Sequence, residues 1–173
     1  MISTVNFIDE LKRNSIDFFT GVPDSVLKKL SNKFEKFDKN KHVLAFNEGS
    51  AIALGIGYHL ATNKIPCIYL QNAGLGNAIN PLVSIAHKNV YSIPLLMVIG
   101  WRGSPNRKKD EPQHNVKGKI TRKLLSTLGI KNIVIKNKKD LLKLRKLIKF
   151  SKKKKIPVAC LIEQNSLVEK NKP

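Results

Sequence analysis

The sequence predicts a three-layer α/β/α fold around a mostly parallel sheet of about six strands, and two features carry that expectation. Apolar patterns of helical period alternate along the chain with short, nearly continuous apolar runs. Runs such as Ile65-Pro66-Cys67-Ile68-Tyr69-Leu70 and Leu95-Leu96-Met97-Val98-Ile99 lack the in-and-out alternation of a half-solvated strand. Both faces of the sheet must therefore be covered by helices. At 173 residues the chain is expected to form one domain over 1–168, followed by a polar tail at 169–173, with enough material for a single core without disulfide or metal staples.

In chain order, the pattern places a helix over 5–14, a strand over 17–21, a helix over 25–37 and a strand over 43–46. The next helix, over 48–62, carries so many small residues, Gly49-Ser50-Ala51 through Gly55-Ile56-Gly57, that a neighbour must pack very closely against it. A strand over 65–71, a helix over 77–87 and a strand over 95–99 lead into a long polar loop over 100–117. A helix over 121–128, a strand over 133–135, a helix over 139–150 and a strand over 158–162 complete the series. Cys67 and Cys160 each fall in an apolar run and read as core residues, since neither has the partner spacing of a metal or catalytic site.

The N-terminus has no basic stretch leading into an apolar core, and no apolar run approaches the ~20 residues of a membrane span, so a cytoplasmic protein away from membranes is expected. The net charge of +20 is concentrated towards the C-terminus, over 136–155. A nucleic-acid site would interleave aromatic residues with those charges, and only Phe150 is there. The lysines read instead as the solvated face of an amphipathic helix whose apolar stripe is Leu141, Leu142, Leu144, Leu147 and Ile148, with polyanion binding as the alternative.

Ligands of open parallel sheets lie beyond the C-terminal ends of the strands, so the residues following each strand are the informative ones. These are Gly21-Val22-Pro23-Asp24-Ser25, Asn47-Glu48-Gly49-Ser50, Gln71-Asn72-Ala73-Gly74-Leu75-Gly76-Asn77 and Gly100-Trp101-Arg102-Gly103. The glycines of the third stretch do not make a dinucleotide fingerprint, because position 79 is Ile and the stretch follows the third strand rather than the first. Taken alone, Glu48 reads as a favourable partner of a helix dipole, or as a carboxylate in an apolar pocket placed to share a proton with a ligand. His114 reads as a solvated loop histidine.

Read together, these stretches resemble the phosphonopyruvate decarboxylase family of thiamine-diphosphate-dependent 2-oxoacid decarboxylases over roughly 20–130, supported by Tyr91-Ser92-Ile93-Pro94 and Asp110-Glu111-Pro112-Gln113-His114. Sulfopyruvate decarboxylases share several of them. The resemblance is to the pyrimidine-binding domain, and it implies conversion of 3-phosphonopyruvate to phosphonoacetaldehyde and CO2 in phosphonate biosynthesis. It makes Glu48 the residue that hydrogen-bonds and activates the thiamine diphosphate ring, and Asp24 and His114 the groups that manage protons. Pro23, Gln71, Asn72, Gly74 and Leu75 would line the cofactor. Arg102 would clamp the phosphonate, since a guanidinium binds two oxygens at once, with an exposed loop arginine as the alternative.

The diphosphate and Mg2+ domain of such enzymes carries Gly-Asp-Gly followed by Asn, and no Gly-Asp-Gly occurs in this sequence. The resemblance thus implies a partner subunit that holds the metal, in a hetero-oligomer acting on a small 2-oxoacid. A sulfopyruvate or other small 2-oxoacid decarboxylase subunit is one alternative. A non-catalytic basic binding protein of the same fold is another.

Overall fold

The structure, a computed structural model, describes residues 1–105 and 110–169. Its main sheet has six strands, all parallel, in the spatial order β3-β2-β4-β5-β7-β6. These are β2 (Phe19–Gly21), β3 (His42–Leu44), β4 (Cys67–Gln71), β5 (Leu96–Trp101), β6 (Lys131–Ile135) and β7 (Val158–Glu163). A second, two-stranded parallel sheet pairs β1 (Ile2–Ser3) with β8 (Leu167–Val168) and so ties the two ends of the chain together. Strands of two residues carry no periodicity, and these two are additions to the expected elements.

Alternate residues of the central strands feed two separate cores. Cys67, Tyr69, Leu96, Val98, Cys160 and Ile162 pack against α1 (Thr4–Arg13), α2 (Lys28–Phe34) and α6 (Leu141–Lys154). Ile68, Leu70, Met97, Ile99 and Leu161 pack on the other face against α3 (Glu48–Thr62), α4 (Leu75–Pro81) and α5 (Pro112–Thr127). This is the expected three-layer arrangement, and it is why the strands read as unbroken apolar runs. The cysteines are fully buried, and burial raises both thiols, Cys160 to about 12, which leaves them inert core residues. On the first face, Glu10 of α1 accepts both Nε and Nη2 of Arg145 of α6, each at 2.8 Å, and locks the two helices together.

Several boundaries differ from the sequence expectation for local reasons. The helix expected over 25–37 begins only at Lys28, because Oδ1 of Asp24 takes the N–H groups of Val26 and Leu27 at 2.6 and 3.3 Å and holds 25–27 as a turn. The strand expected over 43–46 is β3 at 42–44, and Phe46 lies fully exposed beyond it. The helix expected over 77–87 is α4 followed by a π-helical turn at Leu82–Ala86, where Pro81 supplies no N–H to the helical ladder.

The largest correction concerns the polar loop expected over 100–117. Its second part is the start of α5, with Pro112 in the first turn, where a proline costs no hydrogen bond. His114 is therefore a helix residue and not a loop residue. The first turns of α5 face solvent through Gln113, Val116, Lys117, Lys119 and Ile120, so they show no apolar stripe that a periodicity reading could detect. Residues 106–109 of that stretch, including Lys108 and Lys109, lie outside the described residues, as does the tail beyond 169. Among the described residues no helix is long and apolar enough to cross a membrane. The lysines of α6 include Lys152, Lys153 and Lys154 in its last turn, where cations complement the helix dipole, while Leu144, Leu147 and Ile148 are buried.

Candidate active site

From β2 the chain moves outward to β3 at the sheet edge and then returns past β2 to β4. The order reverses there, and the loops that leave the C-terminal ends of β2 and β4 diverge at the position where open α/β sheets place their ligands. The turn after β2 carries Pro23 and Asp24, and β4 ends on Gln71 with Asn72 to Gly74 in the turn after it. The loop after β3 delivers Glu48 as the first residue of α3.

Asn47 is the N-cap of α3 and accepts the Ser50 N–H on its side-chain oxygen at 2.8 Å. With the cap supplied by its neighbour, the Glu48 carboxylate reaches across to the turn after β4. Beyond it, Nδ2 of Asn77 in the first turn of α4 donates to Oε2 of Glu48 at 2.9 Å. The other oxygen, Oε1, lies over Gly74 so closely that a Cβ at that position would overlap it. Gly74 is thus a cradle for the carboxylate, and its backbone at φ −82° shows that conformational freedom is not what requires glycine there.

Asp24 uses Oδ1 for the turn after β2, while Oδ2 is buried and has no hydrogen-bond partner among the described residues. Burial raises the Asp24 carboxyl above its ordinary 3.8, against the opposing influence of the Val26 and Leu27 N–H groups, the Arg102 charge and the Gln71 amide. The carboxylate lies against Gly100 at the end of β5, where a Cβ would come within 2.7 Å of both oxygens. A buried carboxylate oxygen left unpaired, with elevated proton affinity, is suited to exchanging a proton with a bound molecule.

Arg102 follows β5 and is gripped at both ends. Asn72 accepts the Arg102 N–H on Oδ1 and donates Nδ2 to the Arg102 carbonyl, both at 3.1 Å, and also donates to Oγ1 of Thr121 at 2.9 Å. The guanidinium donates Nε to Oδ2 of Asp110 at 3.0 Å and Nη2 to Oδ1. This pair holds the Asp110 carboxyl down at about 2. With its side chain 23% exposed, Arg102 is not the solvated loop arginine of the alternative reading. Gly103 and Gly118 let the start of α5 come into direct backbone contact with the end of β5. On that helix turn, Nδ1 of His114 is buried without a hydrogen-bond partner among the described residues.

The residues proposed from sequence are thus distributed in two groups. Glu48 and Gly74 meet directly, and Asp24 is in electrostatic reach of Gln71 and Arg102. Pro23 is exposed and Gln71 half-buried at the same end of the sheet. Two expected lining residues point elsewhere: the Asn72 amide is spent on Arg102 and Thr121, and Leu75 is 1% exposed in the core beneath α3. Asn77, which crowds the turn after the third strand with Gln71 and Asn72, and Asp110, in the Asp-Glu-Pro-Gln-His stretch, are not among the site residues expected from sequence. Their signal in the sequence is polar crowding, three amides in one turn and an acid in the polar stretch that follows Arg102.

The donor set fits the ring side of thiamine diphosphate: a cradled carboxylate and two buried polar atoms without partners. Among the described residues, no group of three or more His, Cys, Asp or Glu side chains comes together as metal ligands.

Comparison with known proteins agrees with the geometry. Residues 5–122 match the thiamine pyrophosphate enzyme N-terminal TPP-binding domain. The chain is 36% identical over 125 residues to a phosphonopyruvate decarboxylase of Streptomyces viridochromogenes, covering 72% of this chain but only 30% of that protein. It is 32% identical over 165 residues to a sulfopyruvate decarboxylase subunit alpha of Methanocaldococcus jannaschii, covering 94% of each. Among solved structures, benzoylformate decarboxylase of Polynucleobacter necessarius superposes with a TM-score of 0.76 at 21% identity, over all of this chain and 32% of that one. The last likeness concerns the fold alone.

Proposed function

The chain belongs to the thiamine pyrophosphate enzymes, carrying their N-terminal TPP-binding domain, and from that membership we propose that it is the pyrimidine-binding alpha subunit of a 2-oxoacid decarboxylase acting on 3-phosphonopyruvate. The observation that carries this reading is the Glu48 carboxylate, anchored by Asn77 and cradled by Gly74 at the first turn of α3. Glu48 would hydrogen-bond a ring nitrogen of the aminopyrimidine and so promote proton movement on that ring. When bound, thiamine diphosphate would supply a nucleophilic thiazolium carbon and an electron sink for the bonding pair left behind as the substrate carboxylate departs as CO2. Asp24 and His114 would hold and return the proton that completes the aldehyde product. Arg102, already oriented by Asp110, would offer its remaining Nη1 edge to the phosphonate.

A partner chain carrying the diphosphate and Mg2+ site completes the proposal. Two observations support it: the near full-length likeness to a protein named subunit alpha, and the outer face of α3. That face presents Ala53, Leu54, Gly57, Leu60 and Ala61, with Leu54 at 39% and Leu60 at 67% exposure, as expected of a helix that another surface covers. Sulfopyruvate is the second substrate to test, because the alpha subunit matched over 94% of its length is named for it.

The test is reconstitution with the Gly-Asp-Gly subunit, thiamine diphosphate and Mg2+, followed by assay of CO2 release from phosphonopyruvate and sulfopyruvate. Glu48→Gln should lower turnover by about 100-fold or more while leaving the circular dichroism unchanged. Full activity in that variant would sink the mechanism.

A further inference from the structure

The ladder between β4 and β5 ends where Gln71 pairs with Gly100, and the chain then leaves β4 through the short helical turn Asn72–Gly74. β5 runs on, with Trp101 paired to Glu163 of β7, so on the β4 side Arg102 lies past the last strand partner. The Asn72 side chain takes that place. Its Oδ1 accepts the Arg102 N–H and its Nδ2 donates to the Arg102 carbonyl, both at 3.1 Å, as peptide groups of a continued β4 would. The second hydrogen of Nδ2 goes to Oγ1 of Thr121 at 2.9 Å, and Thr121 donates to the Lys117 carbonyl at 2.6 Å within α5. Asn72 is 5% exposed and Thr121 1%, so water does not replace these bonds. At the far end of the side chain, Nε of Arg102 donates to Oδ2 of Asp110 at 3.0 Å.

We propose that Asn72 is a positioning residue for Arg102: its amide extends the sheet by one rung and so sets where the guanidinium leaves β5, while Thr121 holds the amide in that orientation. The inference rests on the reading of Arg102 as the group that binds the second anion of the substrate. A guanidinium meets two oxygens only along fixed directions, so a shift of its main chain misaims it even though its charge is kept. The residue type follows from the bonds it makes. Aspartate has no hydrogens for the Arg102 carbonyl and Thr121, and alanine leaves both peptide groups of Arg102 without a partner on that side.

Thr121→Val tests this with little change of shape, because it removes only the hydroxyl, and Thr121→Ser is its control, because it keeps the hydroxyl. In 1H–15N NMR of the full-length chain, the Arg102 Nε–H is read directly, and the Asp110 carboxylate slows its exchange with water. Thr121→Val should speed that exchange by about fivefold and Asn72→Ala by about tenfold or more, with Thr121→Ser close to wild type. The side-chain amide of Asn77, held by Glu48, should keep its wild-type shift in all three. Wild-type exchange at Arg102 in Thr121→Val overturns the inference, and so does a disturbance that spreads to Asn77, the mark of a merely structural role. If Asn72→Ala does not fold, Thr121→Val decides. In the reconstituted enzyme, Thr121→Val should raise KM for phosphonopyruvate by about fivefold with kcat changed by less than about twofold, since binding common to substrate and transition state is what a misaimed clamp loses. A fall in kcat at unchanged KM would contradict the proposal. Absence of any 2-oxoacid decarboxylation by the wild-type complex would refute the functional reading instead, and the exchange rates would still decide the role of Asn72.

Discussion

The Asn77 amide holds Oε2 of Glu48 at 2.9 Å while Oε1 lies over Gly74, so a carboxylate that follows β3 is fixed by residues that follow β4. Asn77→Ala removes the only side-chain donor to Glu48 among the described residues. Because Asn77 is exposed, stability should change by less than about 0.5 kcal/mol. Turnover of the reconstituted enzyme should fall by about tenfold, as expected for the loss of one charge-assisted hydrogen bond that orients a catalytic group. Unchanged kcat would show that Glu48 needs no such support.

Gly74→Ala tests the cradle from the other side. The backbone there suits alanine, and the new Cβ would meet the flexible end of Glu48, so the chain should fold with little change in Tm. The displaced carboxylate should cost about 10- to 100-fold in kcat. A large drop in Tm would instead mark Gly74 as a packing residue.

Asp24→Asn should separate stability from function. The folded carboxyl lies above its ordinary 3.8, so its favourable contribution is present below that pH and is lost as pH rises through the folded value. Once ionised, the buried Asp24 carboxylate is a net cost to the fold. Asparagine keeps an oxygen for the Val26 and Leu27 N–H groups, so Tm at pH 7 should rise by about 2–4 °C while turnover falls. Calorimetry at pH 7 checks the sign, and a lower Tm would contradict it.

His42 sets an acid limit of its own. It is buried at the sheet edge with Nε2 2.8 Å from the Tyr69 hydroxyl, and burial lowers its proton affinity from the ordinary 6.5. Below that pH the unfolded chain takes up more protons than the folded one. Stability should therefore hold above about pH 6.5 and decline by up to about 1.4 kcal/mol per unit as pH falls through the folded value. Urea midpoints between pH 5 and 8 would reveal the slope, and His42→Asn should flatten it.

The sequence by itself determined the layer architecture, because strands buried on both faces must be continuously apolar, and Cys67 to Leu70 or Leu96 to Ile99 could not be read otherwise. It also placed Glu48 at a strand-to-helix junction and Arg102 just past a strand. Only the tertiary structure decided what those residues touch. Glu48 meets Asn77, 29 positions away, and Arg102 is oriented by Asn72, 30 positions away, because parallel strands bring distant loops to one end of the sheet. His114 passed for a loop residue because the first turns of α5 gain their burial from two glycines packed backbone to backbone, and such a contact leaves no apolar period in the sequence.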